Sequence, residues 1–123
     1  METPEQKKDR ERLARYIQRE QLTSVMSNSK WRRVRQAIPQ SLFLRFRVKN
    51  LRGDEPAPDC WEADYYHVFG CPESIEWLEI ETQESTQAVT EALRCHGIPF
   101  TLAPGGVRIW GYVRPGASPE WVF

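Results

Sequence analysis

The stretch that decides the fold is FTLAPGGVRIWGYVR, at residues 100–114. Apolar residues alternate with other residues on both sides of a Pro-Gly-Gly turn at 104–106. Two alternating runs joined by a glycine pair are typical of a β-hairpin. The sequence therefore predicts a hairpin in the C-terminal core. The alternating apolar residues are Phe100 and Leu102 before the turn, and Val107, Ile109 and Val113 after it.

Helical spacing of apolar residues predicts three helices in the rest of the chain. The first covers residues 4–24 and has a thin apolar stripe. The second begins at an N-cap within Ser27–Ser29 and ends before Pro39, and the third covers residues 84–96. The second helix has the clearest core-facing stripe. Its members are Trp31, Val34 and Ile38.

Strand patterns lie at residues 42–51 and 75–81, with a shorter one at 65–69. In the first strand the cations occupy the face opposite the apolar residues, so we expect a cationic outer face. The order of elements predicts an α+β fold, with a mainly antiparallel sheet of about four to five strands and helices packed on one face. We interpret residues 1–25 as an N-terminal helical extension and residues 26–123 as a single domain.

Composition excludes several classes of protein. Hydrophobic residues make up 40% and charged residues 28% of the 123-residue chain, which is ordinary for a folded domain and too apolar for wholesale disorder. The N-terminus lacks an apolar leader, and no run approaches the ~20 apolar residues of a membrane span. Three cysteines in no disulfide spacing favour reduced thiols. We therefore expect a cytoplasmic protein.

Charge is unevenly distributed although the formal net charge is zero. Residues 1–52 carry 14 Lys and Arg against 5 Asp and Glu, whereas residues 53–123 carry 3 against 12. One interpretation is that the two halves face and neutralise each other. The other is that a patch of one sign remains exposed and steers a partner of the opposite sign.

No combination of thiols and imidazoles predicts a reaction centre. Cys95 and His96 are adjacent on a helix, where neighbours point about 100° apart, so we interpret them as a core cysteine and a capping histidine. Cys60, His67 and Cys71 match no usual zinc spacing, even with Cys95 or His96 added. We predict no metal and no cofactor.

Carboxylates also fail to predict a catalytic pair. Glu76 and Glu79 are expected on opposite faces of their strand, and with Glu81 and Glu84 we interpret them as a solvated strand edge. No glycine loop precedes a helix in the way that phosphate binding requires. The sequence therefore predicts a protein that is not an enzyme.

Two segments have the composition of a partner-binding surface. The last strand alternates Arg with Trp and Tyr on one face, a composition typical of interaction hot spots and of single-strand nucleic-acid platforms. A covering helix or tail would instead make these residues structural. A polar loop at residues 52–64 carries five acids and suits a basic partner. The candidates are Arg108, Trp110, Tyr112 and Arg114 on the strand, and Asp54, Glu55, Asp59, Trp61, Glu62 and Asp64 in the loop.

A basic surface gives an alternative, nucleic-acid binding, with affinity that falls with salt. It would combine the second helix with the first strand of the sheet. The neutral total charge weighs against it. The candidates are Lys30, Arg32, Arg33, Arg35, Arg45, Arg47 and Lys49.

Four strings together resemble a family of short, uncharacterised bacterial proteins, over about residues 26–116. They are SNSKWR from residue 27, RFRVK from residue 45, IEWLEI from residue 75 and RIWGYVRPG from residue 108. The resemblance implies a small bacterial cytoplasmic protein, a class in which immunity proteins against secreted toxins are frequent. It supplies no catalytic or binding residue.

The leading hypothesis from the sequence is a non-enzymatic protein-binding domain, specifically a bacterial immunity protein that binds and occludes a toxin such as a basic nuclease. The expected partner is another protein, with no membrane and no cofactor. Nucleic-acid binding is the alternative. A small enzyme that uses Cys95 and His96 is the third hypothesis.

Overall fold

The structure is a computed structural model, and it describes residues 2–38, 44–57, 60–61 and 72–122. Three α-helices and seven strands lie within these ranges. No helix among them is both long and apolar enough to cross a membrane. The helices are α1 (Pro4–Arg19), α2 (Asn28–Ala37) and α3 (Thr86–Cys95). The strands are β1 (Thr23–Ser24), β2 (Arg45–Asn50), β3 (Ile75–Glu81), β4 (Phe100–Ala103), β5 (Gly106–Trp110), β6 (Tyr112–Val113) and β7 (Trp121–Val122).

The strands form a five-stranded sheet in the order β2-β3-β5-β4-β7, and β1 pairs separately with β6. Every pairing is antiparallel. Helices α2 and α3 contribute to a single core cluster with one face of the large sheet. This arrangement confirms the predicted α+β fold. The strand residues of that cluster include Phe46, Leu78, Ile80, Phe100, Val107 and Ile109.

The hairpin predicted from residues 100–114 is present as β4 and β5. Gly105 has a φ of +83°, which a glycine adopts without strain. A Cβ on Gly106 would lie 1.8 Å from the carbonyl oxygen of Ile80 on β3. The first glycine therefore permits the turn, and the second lets β5 lie directly beside β3.

Helix α2 begins and ends as its capping residues predict. The Ser27 side chain accepts a hydrogen bond from the Lys30 backbone N–H at 3.1 Å, which satisfies one of the unpaired donors of the first turn. Trp31 and Val34 are buried, as are Ala37 and Ile38 just beyond them. The amphipathic stripe thus faces the core.

Helix α1 is shorter than predicted, because residues 23–24 are strand rather than helix. Gln21 has a φ of +55°, which ends the helical turn, and Thr23–Ser24 pairs with Tyr112–Val113. No residue of α1 is fully buried, but the Tyr16 hydroxyl donates to the Leu51 carbonyl at 3.1 Å. The division of the chain at residue 25 stays a prediction.

The other predicted elements differ from the structure mainly at their ends. β2 begins at Arg45, and the predicted residues 42–43 and the predicted strand at 65–69 lie outside the described residues. A 3₁₀ turn at Gln83–Ser85 precedes α3, which is followed by Gly97 at a φ of +67°. Strand β3 is an interior strand, with β2 and β5 on its two sides, as its two apolar faces predicted.

Candidate functional site

The outer face, defined here as the sheet face opposite α2 and α3, is centred on three charged residues in register. Arg47 on β2 pairs with Glu79 on β3, which pairs with Arg108 on β5. Because side chains directly opposite each other in antiparallel strands point to the same face, these three meet. The strand order therefore places one carboxylate between two guanidinium groups.

Hydrogen bonds hold this Arg47–Glu79–Arg108 triad together. Glu79 Oε1 accepts from Arg47 Nη2 at 2.6 Å, and Glu79 Oε2 accepts from Arg108 Nε at 3.0 Å and Nη2 at 2.7 Å. The Glu79 side chain is only 3% exposed. A carboxylate so far from water needs charged partners, and here it has two.

Aromatic rings surround the triad. The Arg108 Cζ atom lies 4.1 Å from the centroid of Trp77 and 5.1 Å from that of Trp110. These distances are within the range of cation–π attraction. Trp77 is buried, whereas Trp110 is half-buried and donates its indole N–H to Thr101 Oγ1 at 3.0 Å. The aromatic and cationic groups are thus fixed relative to one another.

Part of the polar loop covers the β2 side of the outer face. Arg47 Nη1 donates to the Ala57 carbonyl at 3.0 Å, and the ring centroid of Trp61 lies 5.4 Å from Arg47 Cζ. Arg47 Nε is buried and has no hydrogen-bond partner among the described residues. Trp61 therefore lies in one cluster with Arg108 and Trp110, which brings together three of the residues predicted to bind a partner.

Glu76 forms a second polar cluster beside the triad. Its carboxylate accepts from Lys49 at 3.0 Å and from Arg114 at 2.8 Å, and Arg114 also bonds the Tyr16 hydroxyl at 3.1 Å. Burial would raise the pKa of Glu76, but the hydrogen bonds from Arg114 and Lys49 outweigh it, so the pKa lies below its ordinary value. The hydrogen bonds to Glu76 and Tyr16 raise the pKa of Arg114. This cluster ties α1 to the sheet.

Tyr112 and Arg114 therefore bind within the molecule. The Tyr112 hydroxyl donates to the Glu73 carbonyl at 2.9 Å, and burial, with the Glu73 charge, raises its pKa. Arg114 uses its guanidinium on Glu76 and on the Leu51 carbonyl. The alternation of β5 and β6 predicted one face of four residues, but the structure separates them: Arg108 and Trp110 lie together, Arg114 binds Glu76, and Tyr112 binds the Glu73 carbonyl.

The expectation of a solvated strand edge is wrong for two of its carboxylates. Glu76 and Glu79 are 6% and 2% exposed. The reason is that β2 places a cation beside each of them, which makes burial of the charge tolerable. The opposite charges of β2 and β3 were a sequence signal that these carboxylates could be paired and buried. Predicting the pairs from that signal requires the register between the two strands.

The cationic outer face of β2 is likewise not free for a ligand. Arg47 and Lys49 bind Glu79 and Glu76, and Arg45 binds Glu81 at 2.6 Å. These pairs also join the basic first half of the chain to the acidic second half. The basic residues of α2 differ, since Arg32 and Arg33 are exposed, and Lys30 is half-buried.

The acidic loop is described only in part. Asp54 and Glu55 are exposed and form no ion pair with any described residue. Asp59, Glu62 and Asp64 lie outside the described residues.

The candidate thiols and imidazoles form no constellation where the structure describes them. Cys95 is exposed, so its interpretation as a core cysteine is wrong. His96 caps α3, with Nδ1 2.9 Å from the Ala92 carbonyl oxygen. The described parts of the chain contain no group of three or more His, Cys, Asp or Glu suited to a metal ion, and His67 and Cys71 lie outside them.

Comparison with known proteins identifies a family. No curated protein and no solved structure matches the chain significantly. One family model does, and it is described as a family of unknown function, DUF6678. It matches residues 13–116, a range that begins within α1 and extends past Arg114. Because the match covers most of the chain, the protein belongs to the family DUF6678.

Proposed function

We propose that this chain is a non-enzymatic protein-binding domain that acts as a bacterial immunity protein, binding and occluding a toxin. The observation that carries the proposal is the cluster of Trp61, Trp110 and Arg108 on the outer face. Tryptophan and arginine are the residue types most enriched among interface hot spots. Trp61 and Trp110 are half-buried, so each ring keeps some surface for a partner.

Preorganisation makes this surface suitable for tight binding. The triad fixes Arg108 by two hydrogen bonds to Glu79, and the bond to Thr101 fixes Trp110. Ordering a side chain on binding costs about 0.5–1.5 kcal/mol. Side chains that are already ordered avoid most of that cost, so their contacts contribute more fully to affinity.

The exposed acids at the start of the polar loop suit a basic partner. Asp54 and Glu55 are exposed, and they precede the segment in which Ala57 and Trp61 contact Arg47. Acidic groups beside a hot spot raise the association rate with a basic protein and exclude acidic ones. A nuclease whose active site is basic is the proposed class of toxin.

Co-purification with matched variants tests the protein-binding proposal. Tagged wild type, Trp110→Ala and Leu102→Ala would be recovered from the source cells, each after its thermal unfolding confirms a folded chain. Leu102 is the matched control because its side chain is 65% exposed. We expect a stoichiometric protein with wild type and Leu102→Ala, and at least tenfold less with Trp110→Ala. Recovery of no partner, or equal recovery with Trp110→Ala, would contradict the proposal.

The immunity role needs a second measurement on the recovered partner. Expression of that partner alone should arrest growth, and co-expression of wild type should restore it, whereas Trp110→Ala should not. If the partner is harmless when expressed alone, the protein-binding function stands and the immunity role is eliminated.

A second candidate, nucleic-acid binding, is favoured by one observation. Helix α2 carries four cations and no acid, with Arg32 and Arg33 exposed. The cations of β2 do not extend this basic surface, because they pair with carboxylates of β3. Filter binding of single- and double-stranded DNA and RNA at about 50 mM salt would test it, with Arg32→Glu/Arg33→Glu as the variant. Absence of binding by wild type would eliminate it.

A further inference from the structure

A groove of about 480 Å³ lies at the β7 edge of the sheet, and no residue of the triad lines it. Helix α2, the end of α3 and strand β7 each contribute to its walls. Its volume is in the range of established ligand sites. The residues that line it are Lys30, Arg94, Gly97, Ile98, Pro99, Trp121 and Val122.

The groove combines an apolar lining with open access. Ile98 is buried, while Pro99, Trp121 and Val122 are half-buried. Gly97 has a φ of +67°, and a Cβ built on it would meet no atom within 4 Å. An apolar side chain entering here would exchange water for contacts with Ile98 and Trp121, which is favourable because apolar surface is removed from water.

Two cations border this apolar lining. Lys30 comes from the first turn of α2, and Arg94 from the last turn of α3. Neither forms an ion pair with any part of the chain that the structure describes. The rest of α2 adds three more arginines and no acid, and the N-terminal end of its dipole is positive. The potential at the groove therefore favours an anion.

We propose that this groove binds a short acidic segment of a partner protein. One apolar side chain of that segment would contact Ile98 and Trp121, and carboxylates beside it would pair with Lys30 and Arg94. Charge complementarity selects the acidic groups, and the apolar lining selects the side chain between them.

The same features disfavour a nucleic acid at this place. The phosphate backbone needs cations along its length, and the groove presents two around an apolar lining. The groove also differs from the surface assigned to the toxin, both in its residues and in the charge of the partner that it would attract. The two inferences can therefore fail separately: Trp110→Ala removes a ring that does not line the groove, and Lys30→Glu/Arg94→Glu reverses two charges outside the cluster of Trp61, Trp110 and Arg108.

Selection from displayed peptides tests the proposal while the partner is still unidentified. A phage library of random dodecapeptides would be selected on folded wild-type protein, with Lys30→Glu/Arg94→Glu protein as the counter-selection. We expect sequences enriched in Asp and Glu around one large apolar residue. Selection of basic or charge-neutral sequences, or no enrichment over the counter-selection, would overturn the proposal.

Affinity measurements on one selected peptide complete the test. Fluorescence anisotropy of the labelled peptide should give a dissociation constant at least about tenfold weaker for Lys30→Glu/Arg94→Glu, as expected for two reversed ion pairs. Arg32→Glu is the matched control, because it reverses an exposed charge of α2 outside the groove lining, and it should change the constant by less than about threefold. Equal losses in both variants, or displacement of the peptide by a 20-nucleotide single-stranded DNA, would overturn the assignment.

Discussion

Replacement of Glu79 by Gln should destabilise the chain strongly. The substitution keeps the shape of the side chain and removes the charge that two arginines share. Glu79 accepts one hydrogen bond on Oε1 and two on Oε2, and in glutamine one of these two oxygens is replaced by an amide N–H₂ group. Because that group is a donor, as the guanidinium groups are, at least one bond would become a repulsive contact.

The magnitude follows from the burial of the three partners. Removing one member of a buried ion pair costs about 3–5 kcal/mol, since the remaining charge is left without compensation. The Arg108 side chain retains 22% exposure and Arg47 retains 11%, so water can solvate them in part. We therefore expect the lower end, about 3 kcal/mol. For a chain of 123 residues this corresponds to a melting temperature lower by about 12 °C.

Urea unfolding followed by tryptophan fluorescence would measure this difference, with thermal circular dichroism as a second signal. Glu91→Gln is the matched control, because Glu91 is exposed on α3 and accepts one hydrogen bond from Gln87 at 3.2 Å. It should change the free energy of unfolding by less than about 0.5 kcal/mol. If Glu79→Gln remains within about 1 kcal/mol of wild type, the triad is not the buried charge centre that its geometry indicates.

An apolar replacement of the whole triad distinguishes lost charge compensation from lost packing. Arg47→Met/Glu79→Leu/Arg108→Met leaves no charge in the triad, and replacing all members of a buried ion network by apolar residues of similar volume is often neutral. The triple variant should therefore be more stable than Glu79→Gln. A triple variant less stable than Glu79→Gln would show that packing and the cation–π contacts, rather than charge compensation, dominate the cluster.

Three further predictions concern the surrounding structure. The folded-state pKa of Glu76 lies below its ordinary 4.5, so the charged carboxylate stabilises the fold fully above pH 4.5, and this stabilisation is lost as pH falls through the folded-state pKa. Urea unfolding midpoints measured from pH 6 to 3 should therefore fall less steeply for Glu76→Gln than for wild type, and parallel pH profiles would contradict this. Gly111→Ala should prevent folding, because its Cβ would lie 2.0 Å from the Ile75 carbonyl oxygen, whereas Gly53→Ala, with 3.6 Å to the nearest atom, should fold normally by circular dichroism. Tyr16→Phe removes the hydrogen bonds to Leu51 and from Arg114, so it should lower the free energy of unfolding by about 1 kcal/mol and speed proteolytic cleavage around α1. An unchanged cleavage rate would show that other contacts hold the helix.

Local sequence rules predicted the elements whose signals are local. The Pro-Gly-Gly turn at 104–106 and the serine before α2 specify a hairpin and a helix start through conformations and contacts within a few residues. The two-residue strands β1 and β7 escaped prediction, since two residues show no periodicity. They exist only because β6 and β4 offer edges for pairing, which is a property of the folded sheet.

The charged cluster escaped prediction for a related reason. Alternation in β2 and β5 correctly separated apolar from polar positions, and an outward position was equated with exposure to solvent. The structure shows that a polar face can itself be buried when the neighbouring strand supplies the opposite charge at each paired position. That pairing depends on the register of strands far apart in sequence, which no local pattern contains.

This cluster also determines which substitutions can distinguish the proposed functions. The sequence assigned Arg47 to a nucleic-acid surface and Arg108 to a protein-binding surface, yet both bind the carboxylate of Glu79. A substitution at either arginine would leave one oxygen of the buried Glu79 carboxylate without its partner and disturb the tryptophans around the cluster, so lost binding of any ligand would be uninformative. Arg32 on α2 forms no ion pair with any described residue, and Trp110 on β5 carries no charge, so substituting either leaves every charge of the triad with its partner. Functional tests should therefore use those two positions, and stability tests should use Glu79.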